Sequence, residues 1–180
     1  DDSLQSNEKG LNYLELAANK NYPKAQYCLG YLYYYGIYVT MDIEKAIQYW
    51  NRAATNNYSL AQLQLGLFYY EGKRVQQDMT KSVFCLTLAS NQNNSKASFY
   101  LGIIYFNGIG VRQDIQKSIY YYKLSANQGN ILAYHDLGSI FFNNEYTPVD
   151  ITKAIHYFEL AAKQNIIPSI MALGNIYILI

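Results

Sequence analysis

The sequence predicts an all-α fold, a stack of antiparallel helix pairs repeated every 36 residues. Two observations carry this prediction. Glycines stand at Gly30, Gly66, Gly102, Gly138 and Gly174, each 36 residues after the last with no insertion between them. Around them a longer pattern recurs, A-x-x-x-L-G-x-x-Y, beginning at Ala25, Ala61, Ala97 and Ala133, with Phe141 in place of the tyrosine in the last, and followed by Asp-x-x-Lys at Asp42, Asp78, Asp114 and Asp150. Self-similarity at a fixed period of this length marks one supersecondary unit copied along the chain.

The first element is a helix over residues 1–21. Gly10, Tyr13, Ala17 and Ala18 stand one period before Ala46, Tyr49, Ala53 and Ala54, so the chain opens on the second helix of an incomplete copy. Four full copies follow at 22–57, 58–93, 94–129 and 130–165, and residues 166–180 form the first helix of a further incomplete copy. In each first helix the residues of the Ala25, Leu29, Tyr33 series lie four apart and share one face of a 3.6-residue helix. A turn follows, with Gly36, Gly72 or Gly108 and an inward Val39, Val75 or Val111; the fourth copy departs here with Asn144 and Thr147.

The second helix opens on the aspartate, whose short carboxylate can accept from a free first-turn amide and complements the positive helix end. Its apolar stripe in the second register is Ile43, Ala46, Ile47, Trp50, Ala53 and Ala54. It ends near Asn21, Asn57, Asn93, Gly129 or Asn165, the residue types that tolerate a left-handed cap. A glycine inside each first helix costs roughly 1 kcal/mol against alanine. The repeated glycine predicts a compensating close approach of the facing helix, with Ala or Ser on that helix for the same reason.

Together these motifs resemble the Sel-1-like repeat, a relative of the tetratricopeptide repeat (TPR), from about Gly10 to Ile180. The resemblance implies a TPR-like, right-handed α-solenoid acting as an adaptor or scaffold in protein binding. Roles known in that family are membrane-protein quality control in the endoplasmic reticulum, regulation of cell-wall synthases, and bacterial action on host cells. The usual glycine after the second helix is mostly Asn here, and the G-x-G-V turn is complete only at Gly108 to Val111. Some secreted members staple each copy with a disulfide; Cys28 and Cys85 lie in different copies at unrelated positions, which favours free thiols and a reducing compartment such as the cytoplasm.

Composition narrows the function. The charged fraction is 15% and the formal net charge +1, so there is no basic stripe to hold nucleic acid. No apolar run is long enough to cross a bilayer. The apolar end Ile176-Tyr177-Ile178-Leu179-Ile180 instead suggests a longer array or contact with a further repeat or chain. Of the two histidines, His135 has no carboxylate or thiol at ligand spacing and His156 stands beside Glu159 on a polar face. No phosphate loop, metal spacing or nucleophile elbow is present, so an enzyme, a cofactor and a metal centre are not expected. Lys45 and its equivalents read as a solvated ridge.

The candidate site is the other side of the first helix. A displacement of two residues turns about 200° around the axis, which places Tyr27, Tyr31, Tyr34 and Tyr35 away from the second helix. The same side holds Leu63, Leu67 and Tyr70 in the second copy, Phe99, Ile103 and Phe106 in the third, and His135, Ser139 and Phe142 in the fourth. A helix with two apolar faces buries both or keeps one for a partner. In TPR arrays the first helices line the concave groove, so the resemblance implies an aromatic-lined groove for a partner protein or peptide segment, with three or four anchors supporting micromolar binding. Tight curvature would instead bury the inner positions Tyr31, Leu67 and Ile103. The alternative function is an accessory or regulatory segment of a larger complex or enzyme: a degradation-complex subunit, a synthase activator or a host-interaction factor.

Overall fold

Each copy becomes two helices because its polar and glycine residues stand where helix ends need them. The computed structural model describes residues 2–179, with side chains from 5 to 178; Asp1, Ile180 and the side chains of Asp2, Ser3, Leu4 and Leu179 lie outside the described residues. The elements are α1 (Asp2–Asn19), α2 (Pro23–Tyr35), α3 (Ile43–Thr55), α4 (Ser59–Glu71), α5 (Met79–Ser90), α6 (Ser95–Asn107), α7 (Ile115–Asn127), α8 (Leu132–Phe142), α9 (Ile151–Ala162) and α10 (Ile167–Leu179). Among the described residues all regular structure is helical, giving the all-α repeat fold. Two compact units result, Asp1–Gln92 and Asn93–Ile180.

The boundaries follow the predicted chemistry. Asp42, Asp78, Asp114 and Asp150 each accept from the backbone N–H three residues on, at 2.9, 3.0, 2.9 and 2.9 Å. Asn21, Asn57, Asn93, Gly129 and Asn165 all adopt positive φ. Gly36, Gly72 and Gly108 close the first helices in the left-handed region. In each turn the aspartate's N–H then donates to the carbonyl of Tyr33, Tyr69, Tyr105 or Phe141. The fourth copy reaches the same closure without the glycine: Asn143 accepts from the Glu145 N–H at 2.9 Å and Thr147 donates to the Ile140 carbonyl at 3.2 Å.

Packing within a pair is set by the repeated glycine. A Cβ on Gly30 would lie 2.4 Å from the Trp50 ring, one on Gly66 2.7 Å from Leu86, one on Gly102 2.7 Å from Tyr122, and one on Gly138 2.6 Å from Phe158. The small residues opposite fit this closeness: Ala46 and Ala154 are fully buried, while Ser82 and Ser118 donate to the Gly66 and Gly102 carbonyls at 2.8 and 2.9 Å. A Cβ on Gly174 meets nothing within 4 Å, so that face of α10 is open.

In the first unit the core gathers Ala18, Ala25 and Leu29 between α1 and α2, and Ala46, Trp50, Leu65 and Phe68 among α2, α3 and α4. Buried amides tie successive copies. Gln26 donates to the Ala18 carbonyl at 3.1 Å and accepts from Asn56 at 3.0 Å; one period on, Gln62 donates to the Ala54 carbonyl at 3.1 Å and accepts from Gln92 at 2.6 Å. In the second unit a cluster runs through Ile119, Tyr122, Leu137, Ile140, Phe158 and Ile176.

Candidate functional site

Two aromatic surfaces arise from the repeat, and their surroundings distinguish them. On the turn side, the ring ending each first helix stacks on the second helix: Tyr33 on Tyr49 at 5.7 Å, Tyr105 on Tyr121 at 5.6 Å and Phe141 on Tyr157 at 5.8 Å, all nearly parallel. Lys45, Lys81, Lys117 and Lys153 lie over Tyr33, Tyr69, Tyr105 and Phe141 at 5.1 to 5.3 Å and reach back to their own capping aspartates. The lysine ridge is thus solvated, as read from the sequence, and each ammonium is committed to a ring and a carboxylate. Cys85 takes the tyrosine position in the second copy; burial pushes its thiol up to about 11, which keeps it un-ionised at neutral pH.

The other surface is the side of the first helices that the sequence places away from their partners, although Tyr34, Phe99 and His135 reach round to Trp50, Tyr122 and Phe158 of the second helices. In the first unit it carries Tyr27, Tyr31, Tyr34 and Tyr35 from α2 and Leu63, Leu67 and Tyr70 from α4. Tyr31 and Tyr35 are exposed, at 43% and 53%, and lie 4.5 Å apart. Tyr27, Leu63, Leu67 and Tyr70 are half-buried, with Tyr27 against Tyr58 at 5.5 Å. Tyr34 is enclosed: it meets Trp50 at 5.3 Å and Phe68 at 5.9 Å, and the Arg74 guanidinium covers it at 4.7 Å. Arg74 is held there by the Tyr34 carbonyl at 3.3 Å.

In the second unit Phe99, Ile103 and Phe106 are half-buried against the core, whereas Phe142 is 41% exposed. His135 is half-buried, with Nδ1 2.8 Å from the Ser169 hydroxyl and its ring 5.7 Å from Phe158. Burial lowers its pKa, so the imidazole is neutral at physiological pH. Among the inner positions, then, Tyr31 is open while Leu67 and Ile103 are half-buried.

One group not singled out in the sequence stands out on this side. Asp136 borders a cavity of about 160 Å³ lined also by Phe106, Tyr122, Ser139, Asn143 and Tyr146. Burial pushes its carboxyl up to about 6, opposed by a hydrogen bond from Tyr122. Among the described residues no lysine or arginine pairs with it, and no group of three metal-ligating side chains occurs. Its only sequence signal is that copies one to three carry Cys28, Gln64 and Tyr100 at the same position. Exposed rings also occur on second helices, at Phe84 and Tyr120. No helix is long and apolar enough to cross a membrane among the described residues.

Comparison with known proteins agrees with this architecture. The Sel1 repeat model matches residues 1–22, 23–58, 59–94, 95–130 and 131–166. A protective antigen of uropathogenic Escherichia coli strains, displaying an SLR fold, is 32% identical with a TM-score of 0.87 over 93% of this chain and 36% of that one. This chain therefore spans about a third of that antigen's length. A Sel1 repeat protein from Oxalobacter formigenes is 27% identical with a TM-score of 0.80, covering 95% of this chain and 70% of its own. The Helicobacter pylori cysteine rich protein B, 21% identical with a TM-score of 0.55 over 72% of this chain and 93% of its own, shares the fold. No curated protein matches the chain. With five consecutive matches to the family model, the first of them partial, the chain belongs to the Sel1 repeat family.

Proposed function

We propose that this chain is an interaction scaffold that binds a partner polypeptide along the outward sides of its first helices. Sel1 repeat proteins generally bind other proteins, on a fold that serves as a non-catalytic scaffold. The observation that carries the reading for this chain is the exposure of Tyr31 and Tyr35 on a first helix of the first unit and, separately, of Phe142 on a first helix of the second. Tyrosine suits the task because it offers a large rigid apolar face with a hydroxyl that water satisfies. In the first unit Tyr27, Leu63, Leu67 and Tyr70 extend the surface as half-buried neighbours and Tyr34 supports it from beneath Arg74; in the second, Phe99, Ile103, Phe106 and His135 are the half-buried neighbours of Phe142.

Energetics set how much surface a partner needs. Burying a ring contributes roughly 1.5–3 kcal/mol, so three give roughly 5–9 kcal/mol, and association costs at least about 4 kcal/mol of it. A micromolar complex requires about 8 kcal/mol net. Three rings alone fall short of the affinity the sequence suggested, so polar or charged contacts must add to them.

The open face of α10, with Ile167, Ile170, Met171, Tyr177 and Ile178 exposed, offers a further contact for another repeat or chain. A second reading, an accessory or regulatory segment of a larger assembly, is favoured by the chain's spanning 36% of its E. coli relative. Affinity capture with mass spectrometry tests the first reading: a protein recovered by the parent and lost by a Tyr31→Ala, Tyr35→Ala, Phe142→Ala variant with unchanged helical circular dichroism supports it. Identical recovery by both proteins refutes it.

A further inference from the structure

We propose that the Asp136 cavity of the second unit receives one arginine side chain of the partner polypeptide, its guanidinium meeting the Asp136 carboxylate among the rings of Phe106, Tyr122 and Tyr146. This rests on the interaction-scaffold reading and names the chemistry by which a partner would be chosen.

The first unit pairs the equivalent ring with a cation of its own. There the Arg74 guanidinium covers the Tyr34 ring at 4.7 Å. Two periods later the same positions hold Tyr146 and Phe106, whose rings meet at 4.7 Å and line the cavity. The charge differs as well: Arg74 gives way to the neutral Tyr146, and the neutral Gln64 of the first unit becomes Asp136 in the second. One unit therefore supplies its own cation over an aromatic ring, and the other supplies rings and a carboxylate without a cation.

A half-buried carboxylate without a cation is costly, and a guanidinium matches it twice over. Its planar fork pairs with both carboxylate oxygens, and its face stacks on aromatic rings. Ser139 and Asn143 at the rim offer oxygen acceptors for its remaining N–H groups. The cavity, about 160 Å³, suits one such head group and the end of its stem. The titratable groups facing Asp136 are Tyr122 from α7, Tyr146 from the turn before α9 and His135 on α8 itself; α6 and α10 present Phe99, Phe106, Ile167 and Pro168. Burial lowers the His135 pKa from its ordinary value and pushes Asp136 up to about 6, so comparing the parent with Asp136→Asn at each pH isolates the carboxylate's share of any pH dependence.

The test titrates the intact chain with Nα-acetyl-arginine-N-methylamide, following amide and aromatic resonances by NMR, against the neutral citrulline analogue of the same shape and the lysine analogue. The arginine probe is expected to perturb residues around Phe106, Asp136 and Tyr146 and to bind about tenfold more weakly at pH 5 than at pH 7.5, as the carboxylate is protonated. Asp136→Asn, which keeps the shape, should reduce it to the citrulline level. Equal binding of arginine and citrulline, unchanged binding to Asp136→Asn, or tighter binding of lysine would each overturn the assignment. Because the probe reads the cavity alone, its failure leaves the first-helix aromatic surface to stand or fall by the capture experiment.

Discussion

The Tyr122 ring occupies the space in which a side chain on Gly102 would begin, with Cδ1 2.7 Å from an ideal Cβ. Gly174 occupies the same register position with open space above it. Alanine should therefore act in opposite directions at the two sites. Helix propensity gains about 1 kcal/mol in both, but at Gly102 the displaced ring costs about 1–3 kcal/mol. Urea denaturation should show Gly102→Ala destabilised and Gly174→Ala stabilised; a stabilised Gly102→Ala would refute the close-packing account of the repeat.

The capping role of the repeated aspartates is separable from their charge. Asp114→Asn retains an acceptor for the Lys117 N–H and should change stability by only a few tenths of a kcal/mol, whereas Asp114→Ala should lose about 1 kcal/mol. Equal losses in both variants would show that charge, through the Lys117 contact at 3.8 Å, matters more than the cap.

Tyr38 adopts a left-handed backbone, φ 60, where the third copy places Gly110 at φ 66. A tyrosine there costs roughly 1–2 kcal/mol, part of which glycine returns as unfolded-chain entropy. Tyr38→Gly should stabilise by about 0.5–1 kcal/mol in thermal melts and Gly110→Ala should destabilise by a similar amount. No gain from Tyr38→Gly would mean the exposed ring contributes more than its backbone costs.

Asp136 makes stability depend on pH with a defined sign. Its folded pKa, about 6, lies above the ordinary 3.8, so the folded chain binds the proton more tightly and stability falls as pH rises from about 4 through 6. Asp136→Asn should match the parent near pH 4 and exceed it by about 1–2 kcal/mol at pH 7, after discounting for partial exposure. Asp78 and Asp150, whose pKa values are lowered chiefly by hydrogen bonds from Lys81 and Lys153, act in the opposite direction in both proteins and cancel in the difference. A gap constant from pH 4 to 7 would show that Asp136 is ionised at its ordinary pKa.

The helices, caps and close-packed glycines were legible because each answers a backbone demand that one residue type meets and the period repeats. Asp42 needs only Lys45, and Asn57 only its own φ. The site was less legible because its exposure depends on residues from other copies. Tyr34 belongs to the expected aromatic side, but Arg74, 40 residues away, covers it. Asp136 is half-buried because Tyr122 and Tyr146 approach from a second helix and a turn, and it breaks the repeat rather than following it. Gln26 and Gln62 look like ordinary surface amides until the next copy's Asn56 and Gln92 close over them.

Affinity for a captured partner, measured by calorimetry on two matched variants, tests the placement of the binding surface most directly. Tyr31→Ala with Tyr35→Ala removes exposed rings from a first helix, and Phe84→Ala with Tyr120→Ala removes still more exposed rings from second helices. The first pair should weaken binding at least about tenfold, corresponding to 1.4 kcal/mol, and the second should leave it unchanged. Loss confined to the second pair would contradict the assignment and move the interface to the opposite helices.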